Sequence, residues 1–264
     1  MAVTVTPVDL HHRLDGPEEA PVLMLGTSLG TTLQMWDPQM PALSQHFRVL
    51  RFDHRGHGSS PVPAGPYALP DLAGDVVALL DRLQIDRASF CGLSLGGMVG
   101  MHVAAYAPEK IDRLVLCCTT ARFATPGIWA ERAHTVRARG MEAIVDAVVD
   151  RWFTPEFAAR QAALVRRMRQ MMVATPAEGY ASCCDAIEQM DLEPSLAGIQ
   201  APTLVIAADR DLATPPDLAT DIVSGLPDGR LVIVEDAAHL ASVQQPAVIA
   251  RHILDHLDDP GERP

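Results

Sequence analysis

The chain has 264 residues, 48% of them apolar and 20% charged, enough for one large α/β domain or two small ones. Its net charge of −12 excludes a nucleic-acid-binding face, because phosphate recognition needs clustered cations. No apolar run approaches the roughly 18 residues of a membrane span, and no basic segment followed by an apolar core marks a signal peptide at the N-terminus.

In chain order, residues 3–12 read as a strand, one arm of a hairpin turning at Asp15-Gly16-Pro17. Residues 21–25 form a short buried strand that feeds the loop Gly26-Thr27-Ser28-Leu29-Gly30. Residues 35–45 read as helix, and 47–53 as the next strand. The polar glycine turn Asp53-His54-Arg55-Gly56-His57-Gly58 follows. Leu72, Val76, Leu79, Leu80 and Leu83 then give an amphipathic helix. The run from Ala88 to Cys91 is a buried strand, and Met98, Met101, His102 and Ala105 recur at helical spacing up to Pro108. Between them lies Gly92-Leu93-Ser94-Leu95-Gly96, a Gly-x-Ser-x-Gly corner in the strand–turn–helix setting that exposes a serine hydroxyl. Flanking glycines are required because the corner brings two backbones too close for a side chain. Residues 111–117 form another buried strand.

From residue 121 to 199 strands vanish and helical starts recur. Thr125-Pro126, Thr154-Pro155 and Thr175-Pro176-Ala177-Glu178 each place a hydroxyl before a proline at the first helical position, the last also as a capping box. Residues 121–170 hold nine arginines against five carboxylates. The sheet resumes at residues 202–207, Thr214-Pro215 starts a helix ending near Gly225, residues 231–234 are the last strand, and 243–257 form a closing helix. The pattern predicts a mostly parallel sheet covered by helices on both faces, with an all-helical cap inserted after the sixth strand. The core is residues 1–120 and 200–264, the cap 121–199.

A serine hydroxyl needs a neighbouring base. Of the ten histidines, His11, His12, His46, His252 and His256 fall on termini or helix surfaces, and His102 and His134 read as packing residues. His54 and His57 belong to the glycine turn. His239 follows the last strand at its carboxyl end, where ligand sites gather in such sheets, and is the expected base. The acid is sought among Asp209, Asp211 and Asp236, with Asp211 preferred for its distance past the strand. The order Ser94, Asp211, His239 is that of the α/β-hydrolases. Leu95 and Leu29 are the expected backbone donors to an oxyanion, with Ser28 the alternative to Leu29. Five cysteines in no metal or disulfide spacing fit a reducing, cytoplasmic setting. The chemistry needs no cofactor, and neither a metal site nor a dinucleotide fingerprint is visible.

On Thr27-Ser28-Leu29-Gly30-Thr31 with Met35-Trp36, the Asp53-to-Gly58 turn, the Gly92-to-Gly97 corner, and Thr120-Ala121-Arg122-Phe123 with Trp129, Arg132 and Gly140-Met141, the chain resembles the 3-oxoadipate enol-lactone hydrolases. It departs from them at Thr27, where that family has asparagine, and at Ala208, where glycine is frequent. The resemblance runs over nearly the whole length and implies the α/β-hydrolase fold. It also implies an acyl-enzyme on Ser94, release of 3-oxoadipate, and a place in aromatic catabolism. The implied substrate is a small anionic lactone or ester. Arg122, Arg132 and Arg137 are candidates for its carboxylate, and Ser28 and Trp129 for the pocket wall. Alternatives on the same scaffold are a general carboxylesterase, a hydrolase of another lactone or of C–C bonds, and a ligand-binding receptor.

Overall fold

The structure, a computed structural model, describes residues 6–258. Seven strands, β1 (His12–Asp15), β2 (Val22–Gly26), β3 (Arg48–Phe52), β4 (Ala88–Leu93), β5 (Ile111–Cys117), β6 (Thr203–Ala208) and β7 (Gly229–Val234), lie in the order β1-β3-β2-β4-β5-β6-β7. All neighbours are parallel except β1, which runs antiparallel to β3. Every residue of β4 and β6 is buried, so the middle of the sheet is covered on both faces. Such covered strands have no polar face to alternate, which is why they read as continuous apolar runs.

The helices are α1 (Met40–Leu43), α2 (Leu69–Arg82), α3 (Leu95–Tyr106), α4 (Ile128–Arg139), α5 (Val145–Trp152), α6 (Pro155–Arg160), α7 (Ala162–Val173), α8 (Ala177–Glu188), α9 (Pro216–Gly225), α10 (Ala241–Gln244) and α11 (Pro246–Leu257). α3 packs on β4 and β5, and α9 on β6 and β7. Helices α4 to α8 form the segment between β5 and β6, where α4 and α8 pack on one another. The two ends of that segment meet: Arg122 bridges Asp191, and the Leu192 amide donates to the Ala121 carbonyl at 2.9 Å.

Several local expectations change. Of residues 3–12, positions 3–5 lie outside the described residues and 6–11 carry no strand; β1 begins at His12 and pairs with β3, so it is no hairpin arm. The helical segment accordingly follows the fifth strand of the described residues. Pro38 holds residues Leu33–Gln39 in a 3₁₀ turn, leaving only α1 as regular helix there. Thr154 caps α6 by accepting from the Phe157 amide, as its sequence predicts. The capping box at Thr175 does not form: its hydroxyl donates to Met171 O, while Glu178 faces Arg137 and Ser182. Gln245 and Pro246 break the closing helix into α10 and α11.

Candidate active site

Parallel strands end together, and the site lies at their carboxyl edge. Ser94 follows β4 with φ 56°, a left-handed value that costs a non-glycine residue about 1–3 kcal/mol. The corner is clamped from three sides. Ser94 N–H donates to Cys117 O at 2.9 Å, Thr119 Oγ1 donates to Ser94 O at 2.7 Å, and Gly96 N–H donates to Thr27 O at 2.9 Å. The glycines are obligatory, since a Cβ on Gly92 would meet Gly96 O at 2.2 Å and one on Gly96 would meet the Gly26 backbone at 2.4 Å.

Three side chains distant in sequence meet here. Ser94 Oγ lies 3.0 Å from His239 Nε2, and His239 Nδ1 lies 2.8 Å from Asp211 Oδ2. All three are buried. An imidazole whose Nδ1–H is bound by a carboxylate presents Nε2 as an acceptor for the serine proton. Burial works against ionisation of Asp211, but His239 beside it and hydrogen bonds from His239, the Thr214 amide and the Thr214 hydroxyl hold its carboxyl below the usual range. Ala213 N–H, at 2.7 Å, is a further donor. The other two candidate acids go elsewhere: Asp209 accepts from the Ala237 amide, and Asp236 pairs with Arg210. Thr214, read as a helix cap, instead gives its hydroxyl to Asp211 at 2.7 Å.

Leu95 N–H opens α3 beside Ser94, and Leu29 sits in the loop after β2. Neither amide meets a protein acceptor among the described residues, whereas their neighbours Ser28 N–H, Gly30 N–H and Gly96 N–H each do. A cavity of about 450 Å³ opens over Ser94 and His239. Ser28, Leu29, Trp129 and Arg132 line it, as do Arg151, Trp152, Tyr180 and Leu212, which the sequence did not single out. Arg151 and Trp152 are neighbours at the end of α5, but Tyr180 and Leu212 lie far along the chain from them and from each other, and none of the four carries a local motif.

The candidate arginines divide clearly. Arg132 lies 4.4 Å from the Trp129 ring centroid and has no carboxylate partner among the described residues. Arg122 is not at the cavity; its guanidinium faces Asp191 at 3.9 Å and Glu193 at 3.5 Å. Arg137 is held by Glu178 and Asp185. These partners lie beyond residue 170, so across 121–199 nine arginines face ten carboxylates and the local positive charge read from 121–170 disappears.

The remaining histidines are not all surface residues. His256 is buried with Nε2 3.1 Å from Pro202 O, His11 reaches Asp53, and His54 and His57 are fully enclosed. The five cysteines are free and buried. Among the described residues no cluster of three His, Cys, Asp or Glu side chains is placed to hold a metal, and no helix is long and apolar enough to cross a membrane.

A family model for the alpha/beta hydrolase fold matches residues 21–246. 3-Oxoadipate enol-lactonase 2 of Acinetobacter baylyi is 36% identical over 92% of this chain and 91% of its own. RutD of Pseudomonas savastanoi pv. phaseolicola, named for carbamate hydrolysis, is 32% identical over 91% of this chain and 95% of its own. The crystal structure of the enol-lactonase from Burkholderia xenovorans LB400 superposes with a TM-score of 0.93 at 43% identity, covering 96% of this chain and 97% of that one.

Proposed function

The chain belongs to the alpha/beta hydrolase fold family, and from that premise we propose that it is a serine hydrolase that opens 3-oxoadipate enol-lactone to 3-oxoadipate in aromatic catabolism. In this reading residues 121–199 are a cap over a core of 1–120 and 200–264, and the enzyme works in the cytoplasm without a cofactor. Ser94 Oγ attacks the lactone carbonyl as His239 Nε2 takes its proton, with Asp211 stabilising the imidazolium. The carbonyl oxygen becomes an oxyanion between the Leu29 and Leu95 amides. Collapse breaks the ring C–O bond, the enol oxygen takes the proton from His239, and the enol relaxes to the ketone. The leaving group stays tethered to the acyl chain, so a water activated by His239 then releases Ser94 as a free hydroxyl.

The observation that carries the substrate class is Arg132. It is a guanidinium on the wall of the Ser94 cavity that no protein carboxylate neutralises, as an anionic substrate requires. The Trp129 ring lies under its Cζ in cation–π range. The likeness to enol-lactonases supports the same assignment. The likeness to RutD supports a second reading, in which the site cleaves a carbamate.

The test compares hydrolysis of fresh 3-oxoadipate enol-lactone with that of a neutral phenyl ester and a carbamate. We expect the lactone to be preferred, and Arg132→Met to lower kcat/KM for the lactone about 10–100-fold, the worth of one charged hydrogen bond, with the phenyl ester unaffected. Preference for a neutral substrate, or an indifferent Arg132→Met, overturns the lactonase assignment.

A further inference from the structure

The two amides assigned to the oxyanion are held by different means. Leu95 N–H belongs to the first turn of α3, whose helix sets its direction. Leu29 lies in a loop with no regular structure, and the next residue, Gly30, has φ +77° and no side chain to limit its rotation. The Leu29 N–H itself lies in the Ser28–Leu29 peptide, whose carbonyl accepts from Thr31 N–H at 3.1 Å and Thr31 Oγ1 at 2.7 Å. The peptide that follows it, between Leu29 and Gly30, is fixed from another part of the chain. Gly30 N–H donates to His57 Nε2 at 2.9 Å, entirely within the protein.

His57 is prepared for that task. It is fully buried, and its Nδ1 lies 3.2 Å from the Arg55 carbonyl. A carbonyl only accepts, so Nδ1 carries the proton and Nε2 is left as the acceptor. Arg55 is in turn anchored by its side chain: the guanidinium forks onto Asp75, with Nε 2.5 Å from Oδ2, and also donates to Asp71 O. A histidine that meets only main-chain atoms and no solvent is placed by the fold as an acceptor. Burial keeps it neutral, with a pKa pushed down to about 4 despite the nearby Asp53 carboxylate.

We propose that His57 is a positioning residue for the oxyanion hole: by accepting from Gly30 it locks the loop in the orientation that aims the Leu29 amide at the reacting carbonyl. This rests on the reading of Leu29 as an oxyanion donor. It assigns the histidine of the Arg-Gly-His-Gly turn a part in the reaction without contact to substrate. The chemical requirement is narrow, namely an acceptor at the reach of Nε2. Glutamine places a carbonyl oxygen at about that reach; asparagine is one carbon short, and leucine has no acceptor.

The experiment uses phenyl acetate, so that it is independent of the lactone. Loss of turnover in Ser94→Ala first establishes the hydrolase reading, and its failure would end that reading rather than this one. Given that control, His57→Leu and His57→Asn are expected to lower kcat about 100-fold, the effect of losing one oxyanion donor, with KM within about twofold. His57→Gln is expected to recover most of the loss. Wild-type kcat in folded His57→Asn or His57→Leu, or a His57→Gln no better than His57→Asn, overturns the proposal. If the leucine variant does not fold, the glutamine–asparagine pair carries the comparison. Nitrogen-15 NMR of the unmodified protein reads the same claim directly: His57 must be the neutral tautomer with its proton on Nδ1, and a protonated Nε2 refutes it.

Discussion

His54 and His57 are buried neutral side by side beneath the loop after β2. Burial, and for His54 also the charge of His57, hold their pKa values at about 3 and about 4, against 6.5 for a free imidazole. Between pH 6.5 and about 4 the unfolded chain therefore binds protons that the folded protein refuses. Stability is complete above pH 6.5 and falls as pH is lowered through that window, by about 1.4 kcal/mol per pH unit for each ring. Urea unfolding at pH 7, 6 and 5 should show this decline, and His54→Asn should flatten it. An unchanged slope would show that protonated His54 is accommodated in the fold. Ser94, Asp211 and His239 were legible at this scale because each sits just past a strand whose apolar run marks its end. Thr214 was not. Its hydroxyl had two chemically equal uses, capping α9 or binding Asp211, and only packing decides between them.

At the scale of elements, the glycines show what sequence can and cannot announce. Gly92 and Gly96 are explained by the corner motif, and their missing side chains let β4, α3 and β2 touch backbone to backbone. Gly179, within α8, carries no such signal, since a glycine inside a helix normally costs about 1 kcal/mol against alanine. It is there because α8 lies directly on the glycine turn: a Cβ at 179 would meet Gly56 O at 2.2 Å. Gly179→Ala should therefore destabilise rather than stabilise. Overpacking of about 1–3 kcal/mol outweighs the propensity gain, read as a lowered urea midpoint at unchanged slope. A raised midpoint would mean that α8 shifts without cost. Strand identities and helix periodicity were readable because each is local. The pairing of β1 with β3 and the failed capping box at Thr175, where Glu178 goes to Arg137, were not, because a partner far along the chain overrides the local preference. The split of the closing helix is the local effect of Gln245-Pro246, which the apolar periodicity across it masks.

Over the whole molecule, charge is the property most easily misread from a window of sequence. Residues 121–170 looked like a positive lure for an anion, yet Glu178, Asp185, Asp191 and Glu193 fold back onto Arg137 and Arg122. At the cavity wall Arg132 and Arg151 keep no carboxylate ion pair among the described residues, so in the proposed reading an anion is met at contact range, with no long-range attraction. Accordingly kcat/KM for an anionic substrate should change less than about threefold between 50 and 300 mM salt, because a steered encounter would fall steeply with screening. A tenfold fall in stopped-flow or steady-state rates would refute this.

The narrow neck at Ala121–Leu192, where the polypeptide leaves the sheet and returns within a single hydrogen bond, has a consequence for how such a scaffold diversifies. Everything between those two points is a cassette whose two ends sit at one strand spacing. Exchanging it whole would leave residues 94, 211 and 239 at the ends of their strands but would remove the Arg151 and Trp152 carbonyls that accept from the His239 and Leu240 amides. On the proposed mechanism, a chimera carrying a foreign helical block spliced at that neck should still acylate Ser94, with a different molecule selected, only where the block returns two such acceptors to the His239 loop.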